Sequence, residues 1–138
     1  MKIKTLIVSA IFTLASSLAF AGKYTEALVL IDTVEKTAMG STTAARFSEN
    51  ENELIGCGTR TFAFGDGTAF NWGFCQASLA EEENVLCFTE DANLIEQINS
   101  VSDNAFITFR WDDNGECTYV GHSTQSFYIP GKEQLKDK

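Results

Sequence analysis

The chain has 138 residues, 10 of them basic and 19 acidic for a net charge of −9, and it carries four cysteines. A field of that sign repels phosphate backbones and anionic lipid surfaces, which excludes nucleic-acid binding as a function class. The length suits one domain with one core.

Residues 1–21 read as a cleavable export signal. Met1-Lys2-Ile3-Lys4 is a basic start, Thr5 to Leu18 is an uncharged apolar run, and Leu18-Ala19-Phe20-Ala21 sets small residues at the spacing a signal peptidase reads. From Thr5 to Ala21 the uncharged stretch is 17 residues, interrupted by Ser9, Thr13, Ser16 and Ser17, at the lower edge of a membrane span. Gly22 rather than a cysteine stands just after the cleavage point, so a lipid anchor at that position is not expected. The expectation is an exported protein, periplasmic or extracellular, with one domain over 22–130, no membrane span in the mature chain and a frayed tail at 131–138. Lys2 and Lys4 fall in the leader, leaving 8 basic against 19 acidic residues, a net charge of −11. Such a charge permits a cationic protein or a cell-envelope component as partner, and it also serves plain solubility.

Along the mature chain, Tyr24 to Val34 is rich in Leu, Val, Ile and Thr and predicts a strand. Ala38-Met39-Gly40-Ser41 predicts a turn, Thr42 to Ser48 a second extended stretch, and Glu49-Asn50-Glu51-Asn52 a polar loop. Leu54 to Phe64 and Thr68 to Ala80 flank Gly65-Asp66-Gly67, a hairpin signal. A three-residue loop sets Phe62 opposite Phe70, Arg60 opposite Trp72, Gly58 opposite Phe74 and Cys57 opposite Cys75. Because side chains alternate, one face gathers Phe62, Phe64, Phe70, Trp72 and Phe74 around Arg60, and the other holds the cysteines. A two-residue turn would slip the register and lose both coincidences.

Glu81-Glu82-Glu83-Asn84 reads as a charged turn and Val85 to Thr89 as a short strand. Over 91–101 the period changes: Leu94, Ile95 and Ile98 share a helical face, with Thr89 or Asp91 as cap. Ala105 to Trp111 alternates with Ile107, Phe109 and Trp111 on one side. Asp112-Asp113-Asn114-Gly115 turns the chain, and Glu116 to Phe127 returns as the last strand, ended by Pro130. The fold class is mainly β: an antiparallel sheet or two-layer sandwich of about seven strands with one short helix.

Four cysteines in an exported chain imply two disulfides rather than zinc, since singly spread thiols lack the close pairs of a zinc site. The hairpin register favours Cys57–Cys75, and Cys87–Cys117 follows by elimination. Cys75–Cys87 with Cys57–Cys117 stays open, because Glu81 to Glu83 could also close a hairpin.

Ile55-Gly56-Cys57, Phe74-Cys75-Gln76-Ala77, Leu86-Cys87 before a helix, Ile107-Thr108-Phe109-Arg110-Trp111-Asp112 and Gly115-Glu116-Cys117-Thr118 together resemble small exported bacterial proteins of no assigned function. The resemblance spans 54–130 and implies an exported disulfide fold. It carries no activity.

The candidate chemistry is sparse. His122, the single histidine, lies on a strand without a nucleophile motif and reads as a surface or half-buried residue. Asp112, Asp113, Asn114 and Glu116 bunch oxygens, but the turn already explains them and the spacing is not that of a calcium loop. Glu81, Glu82 and Glu83 read as a solvated turn. No cofactor or metal is expected. The five hairpin aromatics read as core, because a small domain needs their apolar area. Were the cysteine face buried instead, Phe70, Trp72 and Phe74 beside Arg60 would form a binding platform. The expected function is a binding or inhibitor-like module. A small hydrolase acting on carbohydrate or peptide and a secreted effector are the alternatives.

Overall fold

The computed structural model describes residues 23–132, 135 and 136. The export-signal reading lies outside the described residues, and the tail reading partly so. Seven strands form two antiparallel sheets. The first sheet has the order β1-β2-β6-β7, from Leu30–Asp32 (β1), Thr37–Ser41 (β2), Phe106–Trp111 (β6) and Cys117–Ser123 (β7). The second has the order β3-β4-β5, from Leu54–Ala63 (β3), Ala69–Ala80 (β4) and Glu83–Thr89 (β5). Two helices, Thr42–Phe47 (α1) and Ala92–Asn99 (α2), and a 3-10 turn at Ser126–Tyr128 complete the elements among the described residues. No helix among the described residues is long and apolar enough to cross a membrane.

The hairpin forms in the expected register. Cys57 faces Cys75, Arg60 faces Trp72 and Phe62 faces Phe70. Phe64 N–H donates to the Thr68 carbonyl at 2.8 Å, and Gly67 adopts the left-handed conformation (φ 89°) that closes the loop. Asp66 Oδ1 accepts from the Thr68 N–H and hydroxyl at 2.9 and 2.7 Å, fixing the turn from inside.

Three local expectations are corrected. The stretch 42–48 is helical: Ser41 caps it by accepting from the Ala44 N–H, and Ala44-Ala45 outweigh the β-branched pair Thr42-Thr43. The domain therefore has two helices, not one. Ala38 to Ser41 is no turn but β2, hydrogen-bonded to both β1 and β6. Gly40 is there for clearance, since a β-carbon would meet the Val29 Cα at 2.9 Å. The first strand shrinks to Leu30–Asp32, after which Asp32 Oδ1 accepts from the Val34 and Glu35 N–H groups and turns the chain.

The core lies between the sheets. Ile107, Phe109 and Val120 face inward from the first, and Cys75, Ala77 and Cys87 from the second. The inner residues of β4 are small, and this lets α2 approach. At Gly73 a β-carbon would lie 2.7 Å from Ile98 Cδ1 and 3.3 Å from Thr89 Cγ2. Helix α2 presents Ile98, with Leu94 beside it, to the core, and Asp91 caps it by accepting from the Asn93 and Leu94 N–H groups.

Two disulfides close the frame, Cys57–Cys75 and Cys87–Cys117. The first joins neighbouring strands. The second ties β5 of one sheet to β7 of the other, and beside it the Phe88 N–H donates to the Gly115 carbonyl at 3.0 Å.

Candidate functional site

The aromatic face of the hairpin points away from the core, which corrects the expectation of burial. Phe62, Phe64 and Phe70 are 53%, 55% and 40% exposed, while Trp72 and Phe74 are half-buried. The cause is on the opposite face. There Gly73, Cys75 and Ala77 admit α2 and the first sheet, and the disulfides fill space that aromatic rings would otherwise take. Beyond that packing the hairpin runs on as an arm: from Thr61 to Asn71 every residue is exposed.

Strand β5 widens the apolar face. Phe88 sits opposite Phe74 and is 45% exposed, and its ring centroid lies 5.4 Å from that of Trp72. Trp72 also contacts Phe74 at 5.6 Å. Arg60 stands on the far side, with its guanidinium 5.1 Å from the Phe74 ring centroid and donating to the Thr59 carbonyl at 2.9 Å. Phe74 in turn covers Gly58, where a β-carbon would meet its ring at 3.0 Å. Of the four residues expected at a platform, Arg60, Phe70, Trp72 and Phe74, all share this face. Phe88 was missed, although its alternation with the buried Cys87 and Thr89 marks it as outward.

Where β5 runs into α2, the face drops into an open cleft of about 650 Å³. Phe70, Trp72 and Phe88 line it from the aromatic face, Glu90 and Asp91 from the segment between β5 and α2, and Glu116 from the β6–β7 turn, with Thr89 and Cys117 also in the lining. Glu116 arrives from the β6–β7 turn because Cys87–Cys117 holds that turn against β5. The Asp91 carboxylate is occupied: the Leu94 and Asn93 N–H groups at the helix start hold its pKa below the ordinary value. Glu90 and Glu116 carry exposed side-chain carboxylates with no hydrogen-bond or ion-pair partner among the described residues.

Other sequence candidates resolve into structural roles. Asp112 accepts from the Glu116 and Asn114 N–H groups, which sets the β6–β7 turn and lowers its pKa. Asp113 pairs with Lys36. Among the described residues no group of acidic, histidine or cysteine side chains is placed to hold a metal. His122 is half-buried, with Nε2 3.0 Å from Ser100 Oγ. Ser100 gives its one proton to the Gln97 carbonyl at 2.7 Å, which leaves its oxygen to accept from Nε2, and Nδ1 is buried without a partner among the described residues. A nucleophilic serine needs the reverse arrangement, with the imidazole accepting its proton and a carboxylate orienting the ring.

Compared with known proteins, the chain matches no family model, no curated protein and no solved structure at a significant level.

Proposed function

We propose that the chain is an exported binding module, inhibitor-like in its action, which presents the outer face of β3-β4-β5 to a protein partner. The observation that carries this reading is the exposure of Phe62, Phe64, Phe70 and Phe88 on one side of a disulfide-held sheet. A contiguous aromatic patch of this kind leaves apolar area in water that a partner would remove, and aromatic residues dominate the energetics of protein interfaces. Two disulfides fit an oxidising compartment, periplasmic or extracellular. The acid excess favours encounter with a basic partner, and a basic secreted enzyme such as a lysozyme or a protease is the partner class we favour.

The test is binding and inhibition measured against a panel of purified basic secreted lysozymes and proteases, at low and physiological salt. The wild type should bind at least one member, and Phe62→Ser/Phe70→Ser should weaken that binding by about tenfold or more. Failure to bind any member at either salt concentration, or equal binding by the variant, would overturn the reading.

A further inference from the structure

We infer that the cleft at the end of β5 receives a basic side chain of the partner, arginine by preference, stacked on the Trp72 and Phe88 rings and paired with the carboxylates of Glu90 and Glu116. The inference rests on the reading of the aromatic face as a contact surface and adds the chemistry of its occupant.

The lining of the cleft brings together two complementary chemistries. A guanidinium is flat, cationic and weakly hydrated, so it stacks on an indole while donating in its own plane to carboxylates. Trp72 and Phe88 offer the rings, 5.4 Å apart between centroids, and Phe70 extends them toward the arm. Glu90 and Glu116 offer acceptors that nothing among the described residues engages. Asp91 adds charge but has its oxygen committed to the start of α2. Arg60, on the same face, sits over Phe74 on the β3 flank and is not part of the cleft lining, so its guanidinium does not fill the cleft.

Charge decides among occupants. A second copy of this chain would bring its own Glu90, Asp91 and Glu116 against the same rim and add to a net charge of −9 on each molecule. A neutral sugar would stack on the rings and donate hydroxyls to the carboxylates, but it would leave their two charges without a counter-charge. An arginine satisfies both chemistries.

The experiment titrates wild type, Glu90→Gln/Glu116→Gln and Phe62→Ser/Phe70→Ser with three probes. These are an arginine–glycine peptide, its citrulline counterpart and a chitin oligosaccharide, followed by NMR shifts of the Trp72 indole with Trp111 as internal control. The citrulline peptide keeps the shape of the arginine peptide and removes the charge. We expect the arginine peptide to bind wild type at least about tenfold more tightly than the citrulline peptide, and Glu90→Gln/Glu116→Gln to erase that difference. Both glutamates are exposed, so the double variant should fold, and circular dichroism verifies it. Equal binding of the two peptides, an arginine preference that survives the glutamine variant, or binding of the oligosaccharide alone would overturn the inference. The same variants, tested on the enzyme panel, separate the two readings. A protein partner lost by Phe62→Ser/Phe70→Ser but kept by Glu90→Gln/Glu116→Gln would sink the arginine cleft and leave the aromatic contact surface standing.

Discussion

Cys75 stands directly opposite Cys87 across β4 and β5, yet it is bonded to Cys57 on its other side. Backbone geometry explains the choice. The Cα separation of Cys57 and Cys75 is 4.0 Å, the narrow type of antiparallel pair in which side chains approach most closely. A strand residue directs its N–H and C=O to one neighbour, so Cys75 spends its backbone bonds on Cys87 in the wide type of pair. The Phe88 N–H, turned away from β4 toward Gly115, has the matching phase.

Cys57→Ser should therefore leave Cys87–Cys117 intact and Cys75 as a free, buried thiol. Peptide mapping after unfolding and alkylation should place the label on Cys75 alone. Label on Cys117 would mean that Cys75 attacks Cys87 and expels the Cys117 thiolate, and that the register does not protect the pairing.

Gly73→Ala should push α2 off the sheet, because the new carbon falls 2.7 Å from Ile98 Cδ1. The expected cost is about 1–3 kcal/mol in urea unfolding. Ile98→Val removes that methyl and should cost about 0.5–1.5 kcal/mol alone. Combined, the two should lose less than their sum. Strict additivity would show that the Gly73–Ile98 contact does not set the position of the helix.

Phe62→Ser/Phe64→Ser should leave stability within about 0.5 kcal/mol of wild type, since both rings are exposed. Phe109→Ala, at a fully buried ring, should cost about 3–5 kcal/mol. Chemical denaturation of the two variants side by side checks which face is core, and a large loss from the arm variant would reverse the assignment.

Stability should fall on acidification. The Thr68 hydroxyl holds the Asp66 pKa down, the Leu94 N–H that of Asp91, and the Glu116 N–H that of Asp112, all below an ordinary 3.8. A folded pKa below the unfolded one adds stability that is complete above the ordinary carboxylate range and is lost as pH falls through the folded value. The melting temperature should be level from pH 7 to about 5 and decline below about pH 4. Asp91→Asn keeps a capping oxygen without a titrating one, so it should flatten the decline while preserving the helix. A decline of unchanged slope would remove Asp91 from the account.

The parts of the fold legible in the sequence were those with two signals in agreement. Gly65-Asp66-Gly67 proposed a loop, and the alignment of Cys57 with Cys75 supported its length, so the register followed; the two disulfides are the pairing the sequence favoured while leaving Cys75–Cys87 with Cys57–Cys117 open. The period of Leu94, Ile95 and Ile98 sufficed for α2. Helix α1 was hidden because Thr42-Thr43 imitate a strand and only Ser41 announces a cap. Strand β2 was hidden because Gly40, which makes room for Val29, imitates a turn residue. Burial of the hairpin was misjudged because aromatic content suggests core, whereas the deciding residues were the small ones behind it, above all Gly73. Four members of the platform were visible within one hairpin. Phe88, Glu90 and Glu116 were not, because the cleft joins residues far apart in the chain where Cys87–Cys117 holds the β6–β7 turn against β5.

That crosslink has a consequence for timing. Cys87 belongs to one layer and Cys117 to the other, so the bond between them fixes the two sides of the mouth beside it. A ligand then meets a shape already set and spends little of its affinity on ordering it. Before oxidation the two rims are joined through α2 and β6 and by the Phe88 N–H bond to the Gly115 carbonyl, and a newly made chain in a reducing cytosol would lack the rivet between them.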